Sequence, residues 1–330
     1  MQVHTDQTPT TDPLARIVIV NYNSAGYVNR CIDSLLVQTE QRFEVVIADN
    51  ASTDVDAIRL PDDPRFRLVR LDRNLGFAAA NNLAAAGATA PWIVTLNPDA
   101  FPRPDWLEIL MAAARRHPDA AMFGSTQLFA DDPSMVDGEG DRYSIFGLAW
   151  RVNYGRPGVA PYYTGEVFSP CAAAAMYRRD VFERVGGFDE AFFCYCEDVD
   201  LGFRIRLAGG CAYQIGDAVV HHVSSGVSKQ YGDFALYHGI RNLFWTMVKN
   251  VPFPVILLTL PLHGLALAYL LAFRWRAQRA RTARRAIRDA ILGVRHAVRQ
   301  RRSIQHGRCI SVLDLMRAMT WNPIKVKLRQ

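Results

Sequence analysis

The first hundred residues alternate short β-branched runs with helical segments, and this alternation strongly constrains the fold. The runs RIVIV (16–20), FEVVIAD (43–49), FRLVRL (66–71) and WIVTL (92–96) have the composition of buried strands. Helical patterns lie between them, from about 26 to 37 and from 77 to 88. This order predicts βαβ units, and therefore a mostly parallel central sheet with helices on both faces.

The remainder of the chain is less regular. The pattern predicts a helix over 104–116, an irregular stretch from about 120 to 180, and a helix over 198–208 that ends at two glycines. A strand-like segment follows over 211–223, and an amphipathic helix over 231–249. The whole is an α/β protein.

Composition bounds the class of protein. Half of the 330 residues are hydrophobic, so the chain can form a large core and is not globally disordered. Six cysteines are scattered without a CxxC pair, which predicts reduced thiols in a cytoplasmic body rather than a zinc site. The first fifteen residues are polar, so we expect no secretory signal and a flexible N-terminus over 1–14.

Charge is concentrated near the C-terminus. The formal net charge is +6, but residues 274–302 hold eleven arginines and one acid, so that segment carries +10 and the rest −4. Such a basic segment suits nucleic acid or an anionic membrane surface. No recognised nucleic-acid-binding module is present, so we expect no nucleic-acid partner. The sequence leaves the oligomeric state open.

An apolar run precedes these arginines. Residues 251–273 contain no Asp, Glu, Lys or Arg and could span a bilayer by length, but prolines interrupt the run. A single span would place the arginines on the outer side, against the positive-inside tendency. We therefore expect 251–330 to be a helical membrane-associating extension that forms an interfacial or re-entrant hairpin. The alternative is an ordinary buried helical pair with a solvated basic face.

Polar residues follow each of the four early strands. In open parallel sheets ligands bind beyond the carboxyl ends of the strands, so these residues can converge on one site. They are also ordinary turn residues, but four such loops in succession favour a site. The candidates are Asn21, Asn23, Asp49, Ser52, Asn74, Gly76, Asn97 and Asp99. The glycine-rich dinucleotide and P-loop patterns are missing from the sequence, so a divalent cation on Asp99 is one way to hold phosphates.

Three carboxylates stand in the stretch FFCYCEDVDLGFRIR (192–206). Glu197 and Asp198 come at a predicted helix start, where backbone N–H groups stabilise ionised carboxylates. Asp200 precedes Arg204 by four residues and is expected to form a helix-surface pair. Carboxylates beside so much apolar surface indicate either chemistry or ordinary capping.

Taken together, these motifs resemble family-2 glycosyltransferases, in particular the bacterial rhamnosyltransferase-like branch. The resemblance covers about residues 15–250 and rests on ordered motifs: IVIVNYNS, VVIADNAST, NLGFAAANN, LNPDA, the segment from CAAAAMY to LGFRIR, and RNLFWTMVKNVP. It implies a GT-A fold, which binds nucleoside-diphospho-sugars, over 15–250. It also implies inverting transfer of a sugar, with rhamnose as the candidate, to a lipid-linked or polysaccharide acceptor in cell-envelope glycan synthesis.

The resemblance also assigns roles to residues of the donor site. It implies that the backbone of Val20, Asn21, Tyr22 and Asn23 frames the nucleotide base, that Asp49 accepts from a pyrimidine N3–H, and that Ser52 supports this loop. It implies that the donor site is lined by Asn74, Gly76 and Asn81. Asp99 is implied to bind Mg²⁺ or Mn²⁺ bridging the donor phosphates. Asn97 stands where other members carry an aspartate, and His222 where they often have a further metal ligand.

On the acceptor side the resemblance makes Asp198 the general base and Glu197 the second candidate, or the residue that orients the acceptor. Arg241 and Asn242 match an Arg-Asn pair of the family, with a phosphate or acceptor contact as their candidate role. One rival remains, a non-catalytic, membrane-tethered nucleotide-binding scaffold, and Asn97 is its support. The presence of Asp99, Glu197 and Asp198 together argues against it.

Overall fold

The computed structural model describes residues 12–224, 232–273 and 278–322. Most of the predicted N-terminal tail and the first two arginines of the basic segment lie outside these ranges. Within them the first hundred residues fold as predicted. Strands β1 (Ala15–Asn21), β2 (Phe43–Asp49), β3 (Phe66–Arg70) and β4 (Trp92–Leu96) alternate with helices α1 (Ala25–Leu36) and α2 (Gly76–Ala85).

The middle of the chain supplies the remaining strands. After β5 (Ala100–Pro102) and helix α3 (Trp106–Arg116), the strands are β6 (Ala120–Phe129), β7 (Val136–Gly138), β8 (Asp141–Tyr143), β9 (Ala149–Arg151), β10 (Gly165–Val167) and β11 (Ala174–Arg178). Helices α4 (Arg179–Arg184) and α5 (Glu197–Leu207) then lead to β12 (Cys211–His222). Single 3₁₀ turns occur at Val55–Ala57 and Glu190–Phe192.

The main sheet has the order β10-β12-β6-β11-β4-β1-β2-β3. Strands β1, β2, β3 and β4 are mutually parallel, as are β6 and β12, whereas β11 runs antiparallel between β4 and β6. Strands β5 and β7 pair with β12 and β6, and β8 and β9 form a separate hairpin. The α/β fold class is confirmed, with an antiparallel strand inside the parallel sheet.

The expectation of an irregular stretch over 120–180 was wrong for β6. This ten-residue strand is buried along almost its whole length, so it shows no alternation of polar and apolar residues. Its Ser125, Thr126 and Gln127 are buried polar residues, which hid it from a search for apolar runs. The Ser125 hydroxyl accepts from the indole N–H of buried Trp106 at 2.8 Å, which explains its placement.

Two apolar clusters cover the two faces of the sheet. One is formed with α1 and α3 and includes Ile32, Leu35 and Leu110. The other is formed with α2, α4 and α5 and includes Phe182 and Leu201. The sheet is therefore sandwiched between helices, and its carboxyl edge is left open for a site.

The C-terminal part is helical. It comprises α6 (Phe234–Asn250), α7 (Phe253–Phe273), α8 (Gln278–Leu292), α9 (Val294–His306) and α10 (Val312–Ala318). Helices α8 and α9 pack on α6 through small residues, since Ala286, Ala290 and Ala297 are fully buried. Residues 274–277, which belong to the predicted membrane-associating extension, lie outside the described residues.

Helix α7 exposes much of its apolar surface. Between Phe253 and Leu265 the exposed large side chains are Phe253, Leu257, Leu258, Leu260, Leu262 and Leu265. Among the described residues, no helix combines the length and the apolar character needed to cross a membrane.

Candidate active site

A cavity of about 540 Å³ opens at the carboxyl ends of β1, β2 and β4. Nine of the residues singled out in the sequence line it: Val20, Tyr22, Asn74, Gly76, Asn97, Asp99, Glu197, Asp198 and His222. Much of the rest of the wall comes from the β8–β9 hairpin and from the loop before α5. The cavity thus brings together strand ends and a helix start that are distant in sequence.

Asp49 and its neighbours lie directly behind the cavity wall. Asn21 and Asp49 end two paired strands in register, and the Asn21 amide donates to Asp49 Oδ1 at 2.7 Å. Ser52 N–H donates to Asp49 Oδ2 at 3.1 Å, and Asn23 N–H donates to Ser52 Oγ at 3.0 Å. Asp49 is buried and is not among the residues that line the cavity, so in this structure it fixes the loop that carries Asn50.

The loop before α2 is shaped by two asparagines. Asn50 Oδ1 accepts from Leu75 N–H at 2.8 Å, and Asn74 Oδ1 accepts from Gly76 N–H at 2.8 Å. Gly76 has φ +85°, and a Cβ there would stand 2.5 Å from Phe193 Cδ2. Only glycine therefore fits between this loop and the loop before α5.

Asn81 lies one turn into α2, away from the cavity lining. It is buried, and its amide donates to Phe77 O at 2.9 Å within the same helix. Its neighbour Asn82 instead bridges to the loop before α5, by donating to Phe188 O and accepting from Phe188 N–H. In this structure Asn81 supports α2, and Gly76 and Asn74 are the members of the loop that reach the cavity.

Strand pairing brings His222 beside Asp99. The end of β12 pairs with β5 so that His222 stands opposite Ala100, and Val223 N–H donates to Asp99 O at 3.0 Å. His222 Nε2 lies 3.2 Å from Asp99 Oδ1 and 3.4 Å from the Asn97 amide nitrogen. A carboxylate, an imidazole and a side-chain amide therefore meet at the cavity wall.

A second carboxylate holds the other side of the His222 ring. Nδ1 lies 2.7 Å from Oδ2 of buried Asp137, and Arg151 donates to the same oxygen at 2.8 Å. Burial alone would lower the pKa of His222, but the hydrogen bonds and charges of Asp137 and Asp99 outweigh it and raise the pKa to about 9. Carboxylates in this position orient metal-binding histidines and fix their tautomer.

These residues fit a hard divalent cation. Asp99 Oδ1 and His222 Nε2 face the same point of the cavity wall, and Asn97 Oδ1 is buried without a hydrogen-bond partner in the described structure. Carboxylate and amide oxygens together with imidazole form a donor set that accepts Mg²⁺ or Mn²⁺. Asn97 would add an uncharged ligand where a second carboxylate would bind more strongly.

Asp198 is held at the start of α5 and stays partly accessible. Its Oδ1 accepts from Val199 N–H at 2.8 Å, and its Oδ2 accepts from Ala172 N–H at 3.1 Å. One donor belongs to the first turn of α5 and the other to the segment before β11, so both carboxylate oxygens are held by the backbone. A carboxylate held in this way and accessible from the cavity can take a proton from a bound hydroxyl group.

Glu197 differs from its neighbour in burial. It is 5% exposed, and its Oε2 is buried without a hydrogen-bond partner among the described residues. Burial, and then the charge of Asp198, raise the pKa of Glu197 well above its usual value. Burial therefore disfavours the ionised form of Glu197 that a general base needs, and Asp198 is the more accessible of the two candidates.

A third acid, Asp141, faces Asp198. Ligand atoms of Asp141, Cys171 and Asp198 all lie within 4.8 Å of one another. Burial, followed by the Asp198 charge, raises the pKa of Asp141 well above its usual value, and burial raises that of Cys171 to about 12. Burial therefore disfavours the ionised form of both groups.

The loop before α5 is strained. Three of its non-glycine residues have positive φ: Phe193 at 65°, Tyr195 at 71° and Cys196 at 63°. Such conformations cost about 1–3 kcal/mol each and persist only where the surroundings impose them. Here they turn the chain so that α5 begins with Glu197 and Asp198 in the cavity wall.

The Arg-Asn pair of α6 imposes this conformation. The amide of fully buried Asn242 donates to three loop carbonyls: Phe192 O at 3.0 Å, Cys194 O at 2.9 Å and Tyr195 O at 2.7 Å. Arg241 Nη2 adds a bond to Phe192 O at 2.9 Å. In this structure the pair clamps the loop, and neither residue is among those that line the cavity.

Asp200 forms the predicted pair with Arg204, at 2.8 Å, but the prediction of a surface position was wrong. Asp200 is fully buried and also accepts from Lys249 at 3.0 Å and Asn250 at 2.8 Å. Burial would raise the pKa of Asp200, but the charges of Lys249 and Arg204 outweigh it and lower the pKa. The ionised network joins α5 to α6, because a buried carboxylate requires such partners.

The comparisons with known proteins agree with this geometry. Residues 16–186 match the family model described as glycosyl transferase family 2, which is more than half of the chain. The chain belongs to glycosyl transferase family 2. An N-acetylglucosaminyl-diphospho-decaprenol L-rhamnosyltransferase from Mycobacterium tuberculosis is 31% identical over 236 residues, which cover 62% of this glycosyltransferase and 75% of the relative.

Solved structures show the same fold. GalNAc-T7 with UDP, GalNAc and Mn²⁺ superposes on 72% of this glycosyltransferase with a TM-score of 0.55 at 14% identity, and 48% of that longer chain is covered. A mannosyltransferase from Pyrobaculum calidifontis with GDP-Man and Mn²⁺ covers 92% of this chain and 88% of its own, with a TM-score of 0.52 at 18% identity. The GT-A fold is thereby confirmed.

Several cavity residues of this glycosyltransferase were missed in the sequence. Asn50 is adjacent to the predicted Asp49, so its position at a strand end could have revealed it. The others stand on short strands that carry no periodic signal: Asp141, Trp150 and Arg151. Asp137, which does not line the cavity but holds His222, was missed as well. Asp137 is 85 positions from its partner His222, and no local pattern links the two.

Proposed function

We propose that this glycosyltransferase transfers a sugar with inversion from a nucleoside-diphosphate donor to a hydroxyl group of a lipid-linked or polysaccharide acceptor in cell-envelope glycan synthesis. The observation that carries the proposal is that one cavity contains both the Asp99–His222 pair and the accessible carboxylate Asp198. Inverting transfer needs positive charge for the departing diphosphate and a separate base for the attacking hydroxyl.

Asp99 and His222 would hold Mg²⁺ or Mn²⁺, with Asn97 Oδ1 as a further oxygen ligand. The cation, when bound, supplies the charge that stabilises the departing diphosphate. Asp137 keeps Nδ1 of His222 engaged and so directs Nε2 to the cavity. The two solved relatives with Mn²⁺ and a nucleotide or nucleotide sugar support this cofactor class.

On the acceptor side, Asp198 would take the proton of the attacking hydroxyl group. Neighbouring Glu197, whose pKa burial raises well above its usual value, would orient the acceptor through a hydrogen bond. Phe193 and Tyr195 line the same part of the cavity and exclude water from it. Exclusion of water strengthens each of these electrostatic contacts and limits hydrolysis of the donor.

For the donor we propose a pyrimidine nucleotide, with thymidine-diphosphate rhamnose as the first candidate. The likeness to an enzyme named as a rhamnosyltransferase supports that sugar. Val20, Tyr22 and Asn50 would frame the base at the strand ends. Asp49 carries lone pairs beyond those used by Asn21 and Ser52, and because it lies behind the cavity wall, these would accept from the pyrimidine N3–H only once the loop that carries Asn50 shifts on donor binding.

The test is a panel of nucleotide sugars assayed for release of the nucleoside diphosphate, with Mg²⁺, with Mn²⁺ and with a chelator. We expect one pyrimidine donor to be turned over only when a cation is present. If a donor binds and no donor is turned over in the presence of a polyprenyl-linked glycan acceptor, the protein is a scaffold and the proposed transfer is wrong.

We also propose that the protein acts at the cytoplasmic face of the inner membrane, as a peripheral or monotopic protein attached through residues 251–330. The exposed apolar side chains of α7 beside the basic helices support this attachment. Membranes washed with high salt should retain a large part of the protein, whereas detergent should release it. Complete recovery in the soluble fraction at low salt would contradict the attachment.

A further inference from the structure

A groove of about 560 Å³ lies between the start of α7, the second half of α9 and the start of α10. We call it the basic groove. Its lining combines apolar and basic residues: Pro252, Phe253, Pro254, Val298 and Val312 with Arg301, Arg302, Gln305, His306 and Arg308. We propose that the basic groove binds the phosphate headgroup of anionic bilayer lipids, a proposal that rests on the membrane attachment proposed above.

The charge of the groove is of one sign. Three guanidinium groups and one imidazole line it, and no acidic residue is among the lining residues that the structure describes. Phosphate oxygens bind guanidinium groups through paired, charge-assisted hydrogen bonds. The lining therefore favours a headgroup with a net negative charge over a zwitterionic headgroup, whose net charge is zero.

The guanidinium groups are not equally available. Arg301 is committed to the protein, because its Nη1 donates to Val248 O and Val251 O at 2.7 Å. Arg302 is exposed and makes no hydrogen bond or ion pair within the described residues. Arg308 donates to Ile310 O at 2.9 Å, while its Nε is buried without a partner there. Arg302 is thus the charge most available to a ligand.

Apolar side chains stand exposed beside these charges. Phe253 is 61% exposed at the first residue of α7, Val298 is 53% exposed on α9, and Leu313 is 65% exposed at the start of α10. Exposed leucines continue from Phe253 along α7. A nucleic acid or a soluble phosphate would leave this apolar surface in water, whereas a lipid covers it with acyl chains. We therefore assign the groove to a bilayer lipid.

The test measures binding to vesicles of phosphatidylcholine alone and of phosphatidylcholine with phosphatidylglycerol, by co-sedimentation of the full chain. Arg302→Gln removes one charge from the groove. Arg299→Gln removes one charge from an exposed position on the same helix that is outside the groove. Because one basic residue near an anionic surface contributes about 1 kcal/mol, Arg302→Gln should weaken binding to the anionic vesicles about fivefold.

We expect Arg299→Gln to weaken that binding less than twofold, and both variants to bind phosphatidylcholine vesicles like the unmodified protein. Equal losses of vesicle binding in the two variants would show a diffuse charge effect and overturn the proposal that the groove binds the headgroup. Equal binding to both vesicle types would overturn headgroup recognition. Enhancement by added polyprenyl diphosphate in place of phosphatidylglycerol would assign the groove to the acceptor lipid and also overturn the proposal.

The outcome can be separated from failure of the proposed function. Release of the nucleoside diphosphate in detergent solution, without vesicles, measures turnover in the active-site cavity. Its rate should be the same in Arg302→Gln as in the unmodified protein. If neither variant nor the unmodified protein binds any vesicle, membrane attachment fails together with the groove. If binding is normal and turnover is missing, the groove stands and the transfer proposal fails.

Discussion

Replacing Asn242 by alanine should separate positioning of the base from binding of the donor. The change deletes the amide whose two N–H groups are shared among the carbonyls of residues 192, 194 and 195, and Asn242 is not among the residues that line the cavity. The loop that these bonds hold contains three residues with positive φ, directly before Glu197 and Asp198. Once released, the loop is expected to relax toward ordinary backbone angles.

The free energy lost in Asn242→Ala can be worked out from these hydrogen bonds. Each neutral hydrogen bond contributes about 0.5–1.5 kcal/mol net, so the two N–H groups together amount to about 1–3 kcal/mol. The strain that they oppose is of the same order, at about 1–3 kcal/mol for each left-handed residue. The loop should therefore leave its strained conformation, and a displacement of the base by about 1 Å costs about 100-fold in rate.

The assay compares kcat and the donor KM for transfer to a real acceptor. For Asn242→Ala we expect kcat to fall about 100-fold, while the donor KM stays within about threefold because Asp99, His222 and Asn74 are untouched. Asn250→Ala is the matched control. It deletes one bond to Asp200 from the same helix and an equally buried position, and Lys249 and Arg204 still hold that carboxylate.

Asn250→Ala should lower stability and leave kcat near that of the unmodified protein. If both variants lose the same kcat, the effect of Asn242 is general destabilisation. If Asn242→Ala keeps full kcat in a folded protein, the clamp does not position the base. Asn242→Asp gives an independent check, because it is isosteric, lacks the donors and turns a carboxylate toward three carbonyl oxygens, so its loss should be at least as large.

Three further predictions concern the cavity. Asp198→Asn should lower transfer by about 10²- to 10⁴-fold and leave nucleotide affinity, measured by calorimetry, nearly unchanged. Asp99→Ala should weaken donor binding in a way that excess Mn²⁺ partly restores, whereas the loss in Asp49→Ala should not respond to the cation; equal responses would contradict their separate roles. Burial raises the pKa of Glu197, so the unfolded chain releases the proton of this group above pH about 4.5 while the folded state still holds it. The free energy of unfolding therefore falls as the pH rises from about 4.5 toward the folded-state pKa. Glu197→Gln should therefore gain stability over the unmodified protein between pH 4.5 and 7.5 in urea denaturation, and a constant difference would show that Glu197 is ionised.

The parts of the fold predicted from sequence are those with a strong local signal. Strands β1, β2 and β4 are short β-branched runs with glycine or polar residues at their ends, so their bounds came within about two residues. β6 lacks this signal because Ser125, Thr126 and Gln127 interrupt its apolar run. Ser125 and Gln127 bond to partners distant in sequence, Trp106 and Cys171 O, which a local pattern cannot show.

The same distinction applies to the site. Strand ends and a helix start are local features, so Asp99 and Asp198 could be found in the sequence. Whether a carboxylate is ionised depends on burial, which separated Glu197 from Asp198 only once the fold was known. The role of Asn242 was out of reach for another reason, since a side chain that clamps carbonyls about 48 residues away has no signature of its own.

The packing of α6 bears on what the C-terminal extension does. The predicted boundary near residue 250 follows a change of composition, but contacts cross it: Trp245 donates to Ala290 O at 2.9 Å, and His296 Nε2 lies 3.0 Å from Asp189 Oδ1. The helix that clamps the loop of the base is thus itself covered by the basic helices. Arg301 donates to carbonyls at the end of α6, and the next residue, Arg302, lines the basic groove. One turn of α9 therefore packs against α6 and also carries a charge of the groove. Among the described residues, α8 and α9 therefore pack against the helix that holds the loop before Glu197 and Asp198, and so support the active site indirectly.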